Sequence, residues 1–149
     1  MYVCFTSSRH GFLDGFRPVI GVDGCHVKGP CPGQILTVVG VDVNNGSFPI
    51  AYAVVEIEIK QSWIWFLRLL IEDLKITNGS SYVFISDKQK GLIPAIETAL
   101  PTAEHMMCVR HLYNNFRSSH SGLALKHILW ATTRATTMPW WEAETENMK

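Results

Sequence analysis

The sequence predicts an α/β fold with elements in the order β-β-β-α-β-α-β-α, followed by further helical segments, and three observations carry that expectation. Three apolar runs rich in strand formers come first, beginning at Pro18, at 34–43 and at 48–56. The last two flank Asn-Asn-Gly-Ser at 44–47, a hairpin turn of the Asn-Gly type, so the three strands should form an antiparallel meander. Next, Trp63, Phe66, Leu67, Leu70, Ile71 and Leu74 repeat at the spacing of one buried helix stripe. Finally, residues 81–87 form another short apolar strand, and a strand reached through a helix can lie parallel to an earlier one.

Taken in order, residues 1–15 form an N-terminal extension with a few apolar side chains, Tyr2, Val3 and Phe5, fit for an edge strand or the remnant of a preceding domain. Residues 16–117 are expected to be the α/β core. Its first strand, from Pro18 through Val19, Ile20 and Val22, should break into a turn at Asp23 and Gly24. Gly-Pro-Cys-Pro-Gly at 29–33 makes a tight loop. Ser62 is placed to cap the helix that follows the meander, and Trp65 and Leu69 should widen its apolar stripe. Residues 88–100 read as a helix with Leu92, Ile93, Ile96 and Leu100 on one face, ended by Pro101, and 104–109 as a fifth strand. Beyond Arg110 the pattern is helical, through Leu112, Tyr113 and Phe116 and then Leu123, Leu125, Ile128, Leu129 and Trp130. Residues 132–137 are poor helix formers, Pro139 interrupts, and 140–149 look like the start of another helix. The 118–149 segment is thus expected to begin an insertion, with the chain stopping midway through a unit.

Composition narrows the function. With 149 residues, 47% of them hydrophobic and 11% aromatic, the chain can bury a core and does not read as a disordered tail. Lys plus Arg and Asp plus Glu balance at 13 each, so overall charge gives no pointer to a polyanion. A nucleic-acid surface would have to be local, and Lys28, Lys88, Lys90, Arg110 and Arg117 are its candidates. No apolar run is long enough to span a membrane, and the first residues lack the basic-then-apolar order of a signal peptide. Cys4, Cys25, Cys31 and Cys108 have no CxxC spacing and read as reduced thiols of an intracellular protein. A zinc site from Cys25, His26, Cys108 and His111 is disfavoured, because adjacent strand residues point opposite ways.

Two carboxylates carry the chemistry. Asp23 and Asp87 each end an apolar strand, and α/β sheets gather their ligands at such carboxyl ends. Each has a plainer explanation alone, an Asx-turn with Gly24 for Asp23 and a helix N-cap for Asp87. Capping does not explain the pair. A first Asp on strand one of a meander and a second at the end of strand four is the arrangement of the ribonuclease H-like fold. There, carboxylates at adjacent strand ends hold two Mg²⁺ ions that clamp the attacking and leaving oxygens of a phosphodiester, and a third acid from a later helix closes the cradle.

Five motifs in order also resemble the catalytic domain of plant Mutator-like (MULE) transposases. They are Pro-Val-Ile-Gly-Val-Asp-Gly-Cys-His-Val-Lys-Gly at 18–29, Pro-Ile-Ala-Tyr-Ala-Val-Val-Glu at 49–56, Ser-Trp-Ile-Trp-Phe-Leu at 62–67, Ile-Ser-Asp-Lys-Gln-Lys-Gly-Leu at 85–92 and Cys-Val-Arg-His-Leu-Tyr-Asn-Asn-Phe at 108–116. The resemblance spans roughly residues 16–141. It implies a DDE-type transposase core that uses Mg²⁺ or Mn²⁺ to cut DNA at element ends by water attack and joins the 3′-hydroxyl to target DNA. It also implies DNA as partner and the nucleus as location, with homo-oligomers an open possibility. Asp23 and Asp87 match the first two metal-binding acids, and Cys108 with His111 matches a C-x2-H motif that supports the site. The third acid falls among Glu142, Glu144 and Glu146. Glu142, after an Ala-Thr-Thr-x-x-Trp-Trp run, lies nearest the family's pattern, and an acid beyond Lys149 would leave the site incomplete. Full-length relatives carry a zinc-finger region before this domain and a SWIM-type finger after it, and neither lies within these residues. DNA binding by this chain should therefore be weak, salt-sensitive and unspecific.

A second class of function is open to the same residues: a catalytically inactive, domesticated module acting in transcription or protein interaction. A zinc-stabilised binding module through Cys108 and His111 is a third. Trp63 and Trp65, at helical spacing, are expected in the core rather than as a base-stacking platform. Glu97 is expected on a solvated face. His26 and Lys28 are candidates for phosphate contacts.

Overall fold

In the computed structural model, which describes residues 1–120 and 122–147, six strands form one mixed sheet. Ser121, Met148 and Lys149, which belong to the helical segment expected over 118–149, lie outside the described residues. Alternation sets the buried face. Ile20 and Val22 of β2 (Phe16–Val27), Leu36 and Val38 of β3 (Gly33–Asp42), and Ala51 and Ala53 of β4 (Ser47–Val55) are all buried. These strands form the expected antiparallel meander. Pro18 sits in an irregularity of the β2–β3 ladder, between Arg17↔Val41 and Ile20↔Gly40, where its missing N–H interrupts no regular pair. Pro49 adjoins a bulge at Ile50, which is left over between Val38↔Ala51 and Val39↔Pro49.

The N-terminal extension belongs to this sheet. β1 (Tyr2–Cys4) pairs antiparallel with β4, and α1 (Thr6–Gly15) buries Phe12 in the core. The Tyr2 hydroxyl donates to Asp73 at 2.6 Å and Arg9 faces the same carboxylate at 3.9 Å. Burial, ahead of the Asp73 hydrogen bond, holds the Tyr2 phenol far above its usual range.

The crossover helix α2 (Lys60–Asp73) buries Trp63, Phe66, Leu67 and Leu70 completely. Trp65 is 41% exposed, so it is not the core residue expected, because two residues from Trp63 the helix has turned toward solvent. Ser62 is not the cap either. The helix starts earlier, after Ile59, and the Ser62 hydroxyl donates back to the Ile57 carbonyl at 2.8 Å. β5 (Val83–Ser86) then lies parallel to β2, followed by α3 (Leu92–Ala99) and β6 (Glu104–Met107), which is parallel to β5. The helix expected from residue 88 begins only at Leu92, because Gln89 folds its side chain back to cap it. Its Oε1 accepts from the N–H groups of Gly91 and Leu92 at 2.6 and 2.7 Å. Glu97 is exposed on α3.

The strand order is β1-β4-β3-β2-β5-β6, with β2, β5 and β6 parallel and the meander antiparallel. That is the ribonuclease H-like order with an added edge strand. Met1–Met107 form one compact unit and Cys108–Lys149 a second. The second contains α4 (Val109–Ser119), α5 (Leu123–Arg134) and α6 (Met138–Glu146). α5 nevertheless runs through Thr132 and Thr133, expected to be poor helix formers, and their hydroxyls donate to the carbonyls of Ile128 and Trp130 within the helix. Pro139 does not interrupt a helix but lies in the first turn of α6, where a missing N–H is harmless. Among the described residues no helix is long and apolar enough to cross a membrane.

Candidate functional site

Parallel pairing brings two acids to one place. β2 and β5 run in register from Val19↔Val83 to Val22↔Ser86, and the next residue in each chain is an aspartate, Asp23 and Asp87. Val22 and Ser86 are buried, so Asp23, the next residue on β2, points to the opposite face of the sheet, and Asp87 follows directly where β5 ends. β2 does not break into a turn at Asp23, as its Asp-Gly sequence suggested. It continues to Val27, because Gly24, Cys25 and His26 still pair with Leu36, Ile35 and Gln34 of β3. Asp23 is therefore carried on a rigid strand beside the end of its neighbour. Its Oδ1 accepts from the Gly24 N–H at 2.9 Å, and the Asp87 Oδ1 accepts from the Gln89 N–H at 3.1 Å.

A third acid at this rim went unread in the sequence. Glu58 follows β4 in the connection to α2, and its Oε1 accepts from the Trp63 indole N–H at 3.2 Å. Its carboxylate rests on Gly24: a Cβ there would come within 2.6 Å of Oε1 and 2.9 Å of Oε2. The Gln89 side-chain amide donates to the Glu58 carbonyl at 3.3 Å, tying this connection to the loop after Asp87. Burial first, and then the charges of Asp87 and Asp23, push the Glu58 carboxyl above its ordinary range, against the opposing pull of the Trp63 hydrogen bond. Gly24, directly after a strand aspartate, signals in sequence that something approaches closely but not that the neighbour is Glu58.

Asp23, Gly24 and Cys25 also line a cleft of about 380 Å³ with Thr37, Val39 and Ser47. Among the described residues no three His, Cys, Asp or Glu side chains converge so as to hold one ion together. The remaining predicted residues are distributed over both units. Exposed Lys28 follows β2 and exposed Lys88 and Lys90 follow Asp87, all in the first unit. Exposed Arg110 and Arg117 belong to α4 of the second, where Arg117 lies over the Tyr113 ring at 6.0 Å. His26, exposed at the end of β2, shares a 2.6 Å hydrogen bond with Gln34 through its Nδ1. Cys108 occupies the N-cap position of α4 without a side-chain capping bond, and His111 lies in the first turn. Glu142 is exposed on α6, and the Oε1 of Glu144 on the same helix accepts from the Trp140 indole at 3.2 Å. The second unit has a cleft of about 320 Å³, lined by Ala135, Thr136, Thr137, Met138 and Trp141, with no acid or base in its wall.

Two measurable consequences follow from Glu58. Gly24→Ala should destabilise the chain by about 1–3 kcal/mol, because the new methyl displaces a carboxylate anchored by Trp63. In a Glu58→Ala background the penalty should vanish, which a double-mutant cycle of denaturant unfolding checks. The second concerns pH. The folded Glu58 carboxyl holds its proton more tightly than its unfolded counterpart near 4.5, so its stabilising contribution is complete below that value and is lost as pH rises through the elevated one. Glu58→Gln should remove that part of the pH dependence of thermal unfolding in EDTA.

Comparison with known proteins adds the family. A solved structure of the Mos1 transposase catalytic domain with raltegravir and Mn aligns over 95% of this chain and 86% of that one, at 12% identity and a TM-score of 0.41, too loosely to carry residues across. No curated protein matches the chain. The MULE transposase domain, by contrast, matches residues 19–115, a stretch that contains Asp23, Glu58 and Asp87 and runs through Cys108 and His111. The chain belongs to the MULE transposase domain family.

Proposed function

We propose that the chain is the catalytic core of a DDE-type transposase that cleaves DNA phosphodiester bonds and carries out strand transfer in DNA transposition. The observation that carries this reading is the placement of Asp23 and Asp87 at successive register positions of two parallel strands, in a chain of this family. The donors suit Mg²⁺ or Mn²⁺ in kind, being hard carboxylate oxygens that follow the paired ends of two parallel strands. Bound there, the cation would polarise the phosphodiester and ease deprotonation of the attacking water. Asp23 and Asp87 would hold it; Glu142 is the third acid that the family resemblance implies. Cys108 and His111, matching the family's C-x2-H motif, would have a structural or site-supporting role. Lys28, Lys88 and Lys90 would take phosphate contacts along the DNA, making binding steeply salt-dependent. The expected location is the nucleus.

Nicking of supercoiled plasmid in Mn²⁺ tests the proposal. The chain should nick, and Asp23→Asn or Asp87→Asn should abolish it. Undiminished nicking in either variant refutes the assignment. Absence of nicking in the parent, with DNA or Mn²⁺ still bound, would instead favour the inactive, domesticated module.

A further inference from the structure

We propose that helices α4 and α5 of the second unit present a DNA-backbone surface of their own, built on Arg110, Arg117, Lys126 and Arg134. The choice of DNA among polyanions rests on the function proposed above, and the surface itself rests on charge and placement. The first unit holds eight Lys and Arg against ten Asp and Glu. Between Glu104 and Glu142, by contrast, the chain has these four cations and no acid. Overall neutrality thus conceals a basic segment in an otherwise acidic chain. Arg117, Lys126 and Arg134 lie beyond the stretch 19–115 shared with the family, so family membership does not supply them.

The helices set these charges out in rows. On α4, Arg110, Asn114 and Arg117 recur at the spacing of one helix face and all are exposed, while Leu112, Tyr113 and Phe116 are half-buried. That face offers guanidinium and amide N–H groups, the donors that phosphate oxygens accept from. On α5, Lys126, Trp130 and Arg134 follow one another four residues apart. The Lys126 ammonium lies 5.7 Å from the centre of the Tyr113 ring and the Arg117 guanidinium 6.0 Å from the same ring, so one side chain of α4 gathers a cation from each helix. Arg134 lies 5.8 Å from the centre of the Trp130 ring. A ring holds a cation in place without cancelling its charge. Among the described residues the sole ion pair is that of Arg9 with Asp73, in the first unit, so no carboxylate lies within pairing distance of the four cations. Like charges around one ring repel, and a polyanion is the partner that relieves them together.

Fluorescence anisotropy of a short labelled duplex of arbitrary sequence, titrated with the full chain in EDTA, tests this surface apart from any cleavage. Arg117→Gln with Lys126→Gln should bind about tenfold more weakly, and the slope of log affinity against log salt should fall by about 0.9 for each phosphate contact removed. Arg117→Lys with Lys126→Arg conserves the charge and should keep the parent's slope, with helix content by circular dichroism unchanged in both pairs. Arg110→Gln with Arg134→Gln repeats the measurement on two exposed residues and should also lower the slope. Parental affinity and slope in both glutamine pairs would overturn the surface. So would equal weakening in the charge-conserving pair, which marks a structural effect, or displacement of the duplex by polyglutamate as readily as by unlabelled DNA, which makes the partner an acidic protein. Salt-dependent binding that both glutamine pairs weaken, in a parent that does not nick, would support the surface and count against the proposed function. Nicking by the parent, with both glutamine pairs binding as it does, would do the reverse.

Discussion

Asp23→Asn and Asp87→Asn are each expected to lower Mn²⁺ affinity by about a hundredfold, on the order of 3 kcal/mol, and yet to raise the unfolding temperature when divalent cations are absent. Both effects have one cause. Asp23 and Asp87 each follow the last in-register pair of two parallel strands, Val22↔Ser86, and the charge of each reaches Glu58. Without a cation, folding brings like charges together and strips water from one of them. Asparagine has the same shape and can still accept the local N–H bonds from Gly24 and Gln89, so the fold loses little and sheds repulsion. With a cation, the same charges become the source of binding. Calorimetry and thermal unfolding in EDTA check the two halves separately, and affinity within threefold of the parent would contradict the first.

Trp63→Ala should be the most destabilising single change in the first unit, costing about 3–5 kcal/mol. Trp63 is wholly buried, meets Phe66 at a ring-centroid distance of 6.0 Å, and anchors Glu58 through its indole N–H. Alanine leaves a large cavity and loosens Glu58 at once. Against a typical total of about 5–15 kcal/mol, the variant would be marginally folded. Trp65→Ala, two residues away but 41% exposed, should cost less than about 1 kcal/mol. Denaturant unfolding of the two variants makes the comparison, and equal losses would mean that the stripe on α2 is wider than its burial indicates.

Much of the fold was legible because its signals are local. The Asn-Gly turn at 44–47, the apolar alternation of the meander and the helical stripe from Trp63 to Leu74 each announce an element within a dozen residues. The errors arose where a distant partner decides. Asp-Gly favours a turn in isolation, but Leu36, Ile35 and Gln34 extend the β3 ladder past it. Ser62 has the chemistry of a cap, yet the segment containing Glu58 and Ile59 is held by Gln89 and starts the helix sooner. Gln89 takes the capping role that was the plainer alternative for Asp87, because its longer side chain reaches forward to Gly91 and Leu92. Of the site, Asp23 and Asp87 could be found because each ends an apolar strand. Glu58 could not, since what places it is the missing side chain of Gly24, 34 positions away.

The parallel pairing of β2 with β5 has a consequence for synthesis on the ribosome. Asp23 emerges early, but its counterpart is not translated until the meander and α2 have been made, and β5 cannot dock before the crossover has folded back. While the 63 residues between the two aspartates are being made, Asp23 is without the strand-end neighbour that the parallel pairing gives it.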